Sequence, residues 1–175
     1  MRLWNGVTAL RFFLSALACT SLAFAASGSV AKFSAPAGWQ EAHQGNNDLY
    51  HITEYVPNQE DVREFSKIIT ITEFAKVLPI SLKEFADRQA HEFKQRGCEV
   101  DTTGAGLPKL LKDTLDSHKV AVTYECDSLN TSGVNLLVAE TNGHYTVYTF
   151  EFRRKTLDEA ELNVIATTFT PISAL

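Results

Sequence analysis

VAVTYECDSLNTSGVNLLVAETNGHYTVYTFEF, residues 120–152, decides the fold class. Val120 to Cys126 alternates, which places Val120, Val122, Tyr124 and Cys126 on one face of a strand. Asn135 to Glu140 reads as a second strand. Asn142-Gly143 follows, the strongest short hairpin signal, because a type I′ turn needs φ > 0 at both central residues. Tyr145 to Phe152 returns as a third strand with aromatic groups on both faces. Strands joined in this way form an antiparallel meander, whose apolar surface needs a cover.

Helices on either side supply that cover. Upstream, Ser81-Leu82-Lys83-Glu84 is a capping box: the Ser81 hydroxyl accepts from the third helical amide while Glu84 reaches back. Leu82, Phe85, Ala86 and Phe93 then recur on one helical face. Gly97 is suited to the left-handed stop, so a helix is expected over 82–96. Downstream, Thr156-Leu157-Asp158-Glu159 is a second capping box, Leu162, Ile165, Ala166 and Phe169 stripe the helix that follows, and Pro171 ends it.

Further out, Phe65 to Phe74 (FSKIITITEF) is the clearest strand, with Ile69 and Ile71 on one face and Ile68, Thr70 and Thr72 on the other. Apolar groups on both sides make it an interior strand. Leu49 to Val56 and Trp39 to Gln44 read as strands around the turn cluster Gly45-Asn46-Asn47-Asp48. Cys98 to Thr103 is a candidate strand, and Leu110 to Leu115 is open between strand and helix. The expectation is an α+β fold: a mostly antiparallel sheet of about six strands flanked by two main helices, in one single-core sandwich.

The N-terminus sets the compartment. Met1 to Arg11 carries Arg2 and Arg11 and no acid. Phe12 to Ala25 (FFLSALACTSLAFA) is uncharged and shorter than the about 20 residues a stable membrane span needs. It closes on Ala23-Phe24-Ala25, small-any-small. These are the marks of a removed signal peptide, read here as an N-terminal helix over residues 1–25, with one α+β domain over 26–175. Retention as an anchor and lipidation at Cys19 are the alternatives. The Leu-small-small pattern expected before a lipidated cysteine is misplaced in Ala16-Leu17-Ala18, and no second long apolar run follows. The reading is therefore periplasmic or secreted, with no membrane span after cleavage.

Removing residues 1–25 takes two positive charges and moves the formal charge from −5 to −7. An acidic domain without a basic stripe is a poor nucleic-acid binder and is repelled by anionic lipid. Two cysteines survive, Cys98 and Cys126. In an oxidising compartment an even pair is expected to bridge, stabilising by roughly 3–4 kcal/mol in the chain-entropy model. Two separately buried thiols are the alternative.

Pro36-Ala37-Gly38-Trp39, Glu54-Tyr55-Val56-Pro57 ahead of Ile68–Glu73, Tyr124-Glu125-Cys126, and Asn142-Gly143 leading into Tyr145–Arg153 and a closing helix together form a pattern. It resembles a family of small exported bacterial proteins with a PsbP-like α/β/α sandwich. The resemblance spans most of residues 33–170, and its motifs are short and structural. It implies that fold and a non-catalytic accessory or binding role, and it carries over no catalytic residue.

Chemical motifs are sparse. His91-Glu92 lacks the second histidine of a zinc-hydrolase pattern, since Gln95 stands there. His43 and His51 flank one turn with Asp48 between them, a conceivable surface metal site. The ordinary reading is polar hairpin residues. Gly104-Ala105-Gly106 is too short for a phosphate loop. Tyr50, Tyr55, Tyr124, Tyr145 and Tyr148 read as core and cross-strand pairs, with a ligand groove as the alternative. Arg153-Arg154-Lys155, the only basic cluster, is the candidate docking point for an acidic partner, or else a solvated turn. No catalytic, metal or cofactor residue is assigned.

The resulting expectation is an exported, non-enzymatic accessory or binding protein of the bacterial envelope, acting on another envelope protein or a small apolar ligand. The alternatives are a periplasmic hydrolase with a dispersed active site and a secreted factor acting outside the cell.

Overall fold

The computed structural model describes residues 33–113, 115–140, 143–153 and 159–169. In chain order the elements are β1 (Trp39–Asn46), β2 (Tyr50–Pro57), β3 (Lys67–Phe74), α1 (Leu82–Gln95), β4 (Glu99–Asp101), α2 (Lys109–Lys112), β5 (Lys119–Cys126), β6 (Thr131–Ala139), β7 (Tyr145–Phe152) and α3 (Glu159–Phe169). The strands form one sheet in the order β1-β2-β3-β7-β6-β5-β4. Every neighbouring pair is antiparallel. The architecture is the expected α+β sandwich with the expected meander.

The counts differ from expectation. There are seven strands, because Cys98–Thr103 contributes the three-residue edge strand β4. There are three helices among the described residues, because 109–112 takes one short turn that buries Leu111. β6 begins four residues before the expected start at Asn135, and Gly133 lies inside it. The signal-peptide region and the capping box at 156–159 extend outside the described residues, as does Asn142. At the hairpin the left-handed backbone is at Gly143, φ 83°.

α1 is bounded as its sequence demands. Ser81 Oγ accepts from the Glu84 amide at 3.2 Å. At the other end the Gly97 amide donates to Lys94 O at 3.0 Å and the Cys98 amide to Phe93 O at 3.1 Å. With Gly97 at φ 81°, that pair of bonds is a Schellman stop, which satisfies the last helical carbonyls.

The sheet has two apolar faces. On the first, Ile69, Ile71, Val134, Leu136, Tyr148, Phe150 and Phe152 pack under α2 and α3 through Leu111, Ile165 and Ala166. Trp39 joins them, its ring 5.6 Å from that of Phe150. On the second, Val122, Leu137, Tyr145 and Val147 meet Leu82, Phe85, Ala86 and Ala90 of α1. β3, with Ile68 opposite Ile69 and Ile71, is buried on both sides and interior, as its composition requires.

Candidate binding face

The second face is only half roofed. α1 lies over β4, β5 and β6; towards β3 its link is the Phe85 ring, edge-on to Phe74 at 5.3 Å. Among the described residues no helix covers the rest. The register places His43 beside Glu54, Glu54 beside Thr70, Thr70 beside Thr149 and Thr149 beside Asn135. Because side chains alternate, these five share the second face as one polar row. Apolar margins bound it. Val56, Phe65 and Ile68 cluster at one end. At the other, Tyr145 Oη donates to Ile80 O at 2.6 Å and holds the segment before α1 against the sheet.

Burial raises the Glu54 carboxyl above its ordinary range, against the pull of the nearby His43 and a hydrogen bond from Thr70. A histidine and a carboxylate with a displaced pKa therefore do meet. They meet across the edge strand β1 and its neighbour β2, on an open sheet face and not in a closed pocket.

One row along, a second polar construction crosses three strands. Tyr124, Gly133 and Glu151 stand side by side in β5, β6 and β7. The Tyr124 ring lies across Gly133, and its hydroxyl donates to Glu151 Oε2 at 2.9 Å. A Cβ on residue 133 would come within 2.5 Å of both Phe150 O and Tyr124 Oη, so only glycine fits. Phe93 of α1 stacks on Tyr124 with ring centroids 4.0 Å apart. Cys98 and Cys126, joined in a disulfide, complete this cluster. Burial pushes the Tyr124 phenol well up, helped by the neighbouring Glu151 charge. Burial also raises Glu151, opposed by the Tyr124 hydrogen bond and by Arg153 and Arg96.

These raised carboxyls carry a pH consequence. A group that binds its proton more tightly when folded contributes stability that is present below its unfolded pKa, about 4.3 for glutamate. That contribution is lost as pH rises through the folded value. Glu151→Gln with Glu54→Gln keeps the hydrogen-bond acceptors and removes both titrations. Thermal melts from acid to neutral pH should show the double variant gaining on the wild type as pH rises. Parallel curves would refute this.

A cavity of about 70 Å³ borders the face between α1 and β6, lined by Gln89, Glu92, Phe93, Arg96 and Asn135. An open cleft of about 380 Å³ at the β4–β5 edge is lined partly by Glu99, Asp101, Glu125 and Leu162, which belong to the side of the sheet that α3 covers.

The residues singled out in the sequence fall as follows. Arg153 is engaged within the fold: its guanidinium donates to Arg63 O at 2.7 Å and lies 4.4 Å over the Phe65 ring. Arg154 and Lys155 lie outside the described residues. His43 and His51 project from opposite faces, because His51 is three residues from Glu54, the neighbour of His43. They cannot share an ion, and no group of three ligating side chains is arranged for a metal among the described residues. His91 and Gln95 bond to each other at 2.9 Å on the exposed side of α1.

The tyrosines do not line one groove: Tyr55 and Tyr148 belong to the first face, Tyr145 and Tyr124 to the second. In the glycine loop, Asp101 accepts from the amides of Thr103 at 2.7 Å and Ala105 at 2.9 Å. The Thr103 hydroxyl bond, first of all, and these amides hold the Asp101 carboxyl below its usual range.

The Tyr124–Glu151 contact was not expected from sequence. Its one local signal is a glycine inside a strand, which marks a close approach of another group.

No family model, curated protein or solved structure matches this chain.

Proposed function

We infer that this chain is an exported, non-enzymatic accessory protein that binds another protein of the bacterial envelope over the uncovered half of its second face. The observation that carries the reading is the polar row His43–Glu54–Thr70–Thr149, left outside the cover of α1 and framed by apolar margins. A partner that presents a lysine or arginine to Glu54 would restore the ionised carboxylate that burial disfavours. The acidic charge of the chain, −5 overall, favours the same partner. Export is supported by the basic, apolar, small-residue N-terminus and by the disulfide. No described helix is long and apolar enough to cross a membrane. The PsbP-like resemblance points to the same non-catalytic role.

The test is a pull-down from the envelope fraction with wild type and Glu54→Gln. The wild type should retain a stoichiometric partner that is released as salt rises. The variant should bind it about tenfold more weakly, the 1.4 kcal/mol expected for one charge-assisted bond. Equal capture by both, insensitive to salt, would end this reading.

A further inference from the structure

The contacts of α1 with the sheet centre on β5 and reach β4 and β6. Beyond them on the same face lie β7, β3, β2 and β1. Neighbouring strands stand about 4.8 Å apart. A second helix packed against α1 at the usual axis distance of about 8–10 Å would therefore lie two strands on from β5, over β7, with β3 and β2 on its outer side.

The floor at that place is built of short side chains. Thr149 of β7 pairs with Thr70 of β3, and one row along Val147 pairs with Thr72. The three threonines are half-buried. On the outer flank β2 sets Glu54 beside Thr70 and Ile52 beside Thr72, both also half-buried. The two rows are two strand residues apart, about 6.6 Å, and a helix rises about 6 Å between residues i and i+4. Both ends are raised: Val56, Phe65 and Ile68 cluster at one, and Phe74, Leu78 and Ile80 pack together at the other. The result is a short trough beside α1. An extended segment laid on a sheet face would bury its amides and carbonyls without partners, and α1 stands where a second sheet would have to spread. A helix satisfies its own backbone.

We propose that the trough seats one basic, amphipathic helix of the envelope partner, side by side with α1. Apolar residues at i and i+4 settle on the Thr70–Thr149 and Thr72–Val147 rows, and a lysine or arginine on the outer flank reaches the Glu54 carboxylate. Charge selects this occupant over a second copy of the chain, because two bodies of −5 each repel. The inference rests on the partner reading above and adds to it the form of the partner's contact segment and its residue spacing.

The experiment is a titration of isotope-labelled protein, disulfide formed, followed through the methyl signals of Ile52, Thr70, Thr72 and Thr149. The probes are two synthetic peptides of identical leucine, lysine and glutamine content, about 15 residues long so that a helix can form. One repeats its leucines at i, i+3, i+4 and i+7; the other alternates them as a strand would. The helical peptide should shift the four signals saturably, and the alternating peptide should leave them in place. Glu54→Gln should weaken the helical peptide about tenfold. Glu99→Gln, which removes a charge from the opposite face beside Glu125, should leave its affinity unchanged. Signals unmoved by the helical peptide would overturn the proposal. So would an equal response to the alternating peptide, or an equal loss in the two variants. A Glu54-dependent envelope partner captured while the helical peptide has no effect would overturn this inference and leave the partner reading standing.

Discussion

Gly133→Ala will cost the fold about 3 kcal/mol. Overpacking a close contact costs about 1–3 kcal/mol by itself. Here one of the two clashing atoms is the carbonyl oxygen of Phe150, only 2.5 Å from the new methyl carbon. It belongs to β7, which is fixed in ladders to β3 and β6. The other, Tyr124 Oη, can swing clear only by leaving Phe93 and abandoning Glu151, a half-buried carboxylate. Losing a hydrogen bond to a charged group adds roughly 1.5–3 kcal/mol. Native domains hold only about 5–15 kcal/mol in total, so the loss should be plain in a urea titration. The midpoint should fall while the denaturant dependence stays constant. Adding Tyr124→Leu should recover only part of it, since the Phe150 oxygen remains. A cost under about 1 kcal/mol would show that the sheet can open at this point.

Removing the Cys98–Cys126 bond should have a comparable effect. The two residues are 28 apart, which corresponds to roughly 3.5 kcal/mol of loop-closure entropy taken from the unfolded chain. For a chain of this size that is about 10 °C in melting temperature. Both positions are buried, 7% and 1% exposed, so Cys98→Ala with Cys126→Ala is the cleaner test; serine would bury two hydroxyls. The loss should concentrate locally. β4 has three residues and one neighbouring strand, and the bond fastens its start to the end of β5. Amide exchange at residues 99–101 should accelerate more than in β6 or β7. An unchanged melt under dithiothreitol would contradict this account.

What the sequence revealed and what it hid divide along physical lines. α1 was legible because its limits are written locally, in Ser81, Glu84 and Gly97. β3 was legible because Ile68, Ile69 and Ile71 state burial on both sides. β4 was harder to read because three residues carry little periodicity, and it stands as a strand by pairing with β5 beside a disulfide. β6 was read too short because a glycine inside a strand resembles a break; Gly133 is there to make room for a ring from the next strand. The candidate face was illegible for a general reason. His43, Glu54, Thr70, Thr149 and Asn135 become neighbours only through the register of five strands, and no local pattern encodes that register. The same register separates His43 from His51, which the linear sequence places close together.

The strand order has one last consequence, for how the chain is made. β1 to β3 form one run of adjacent hairpins and β5 to β7 another, and β3 with β7 is the single seam between them. The intervening stretch from Phe74 to Tyr145 contains both cysteines. An early disulfide shortens the loop that must close, but the logarithmic dependence makes that worth only about 0.4 kcal/mol. A chain emerging N-terminus first therefore holds β3 with one bare edge until β7 has been released. Three isoleucines on an unpaired strand are a template for joining another molecule. Synthesis halted between Phe74 and Tyr145 should yield a fragment that self-associates, and holding that edge apart is the demand this topology places on whatever chaperones the chain.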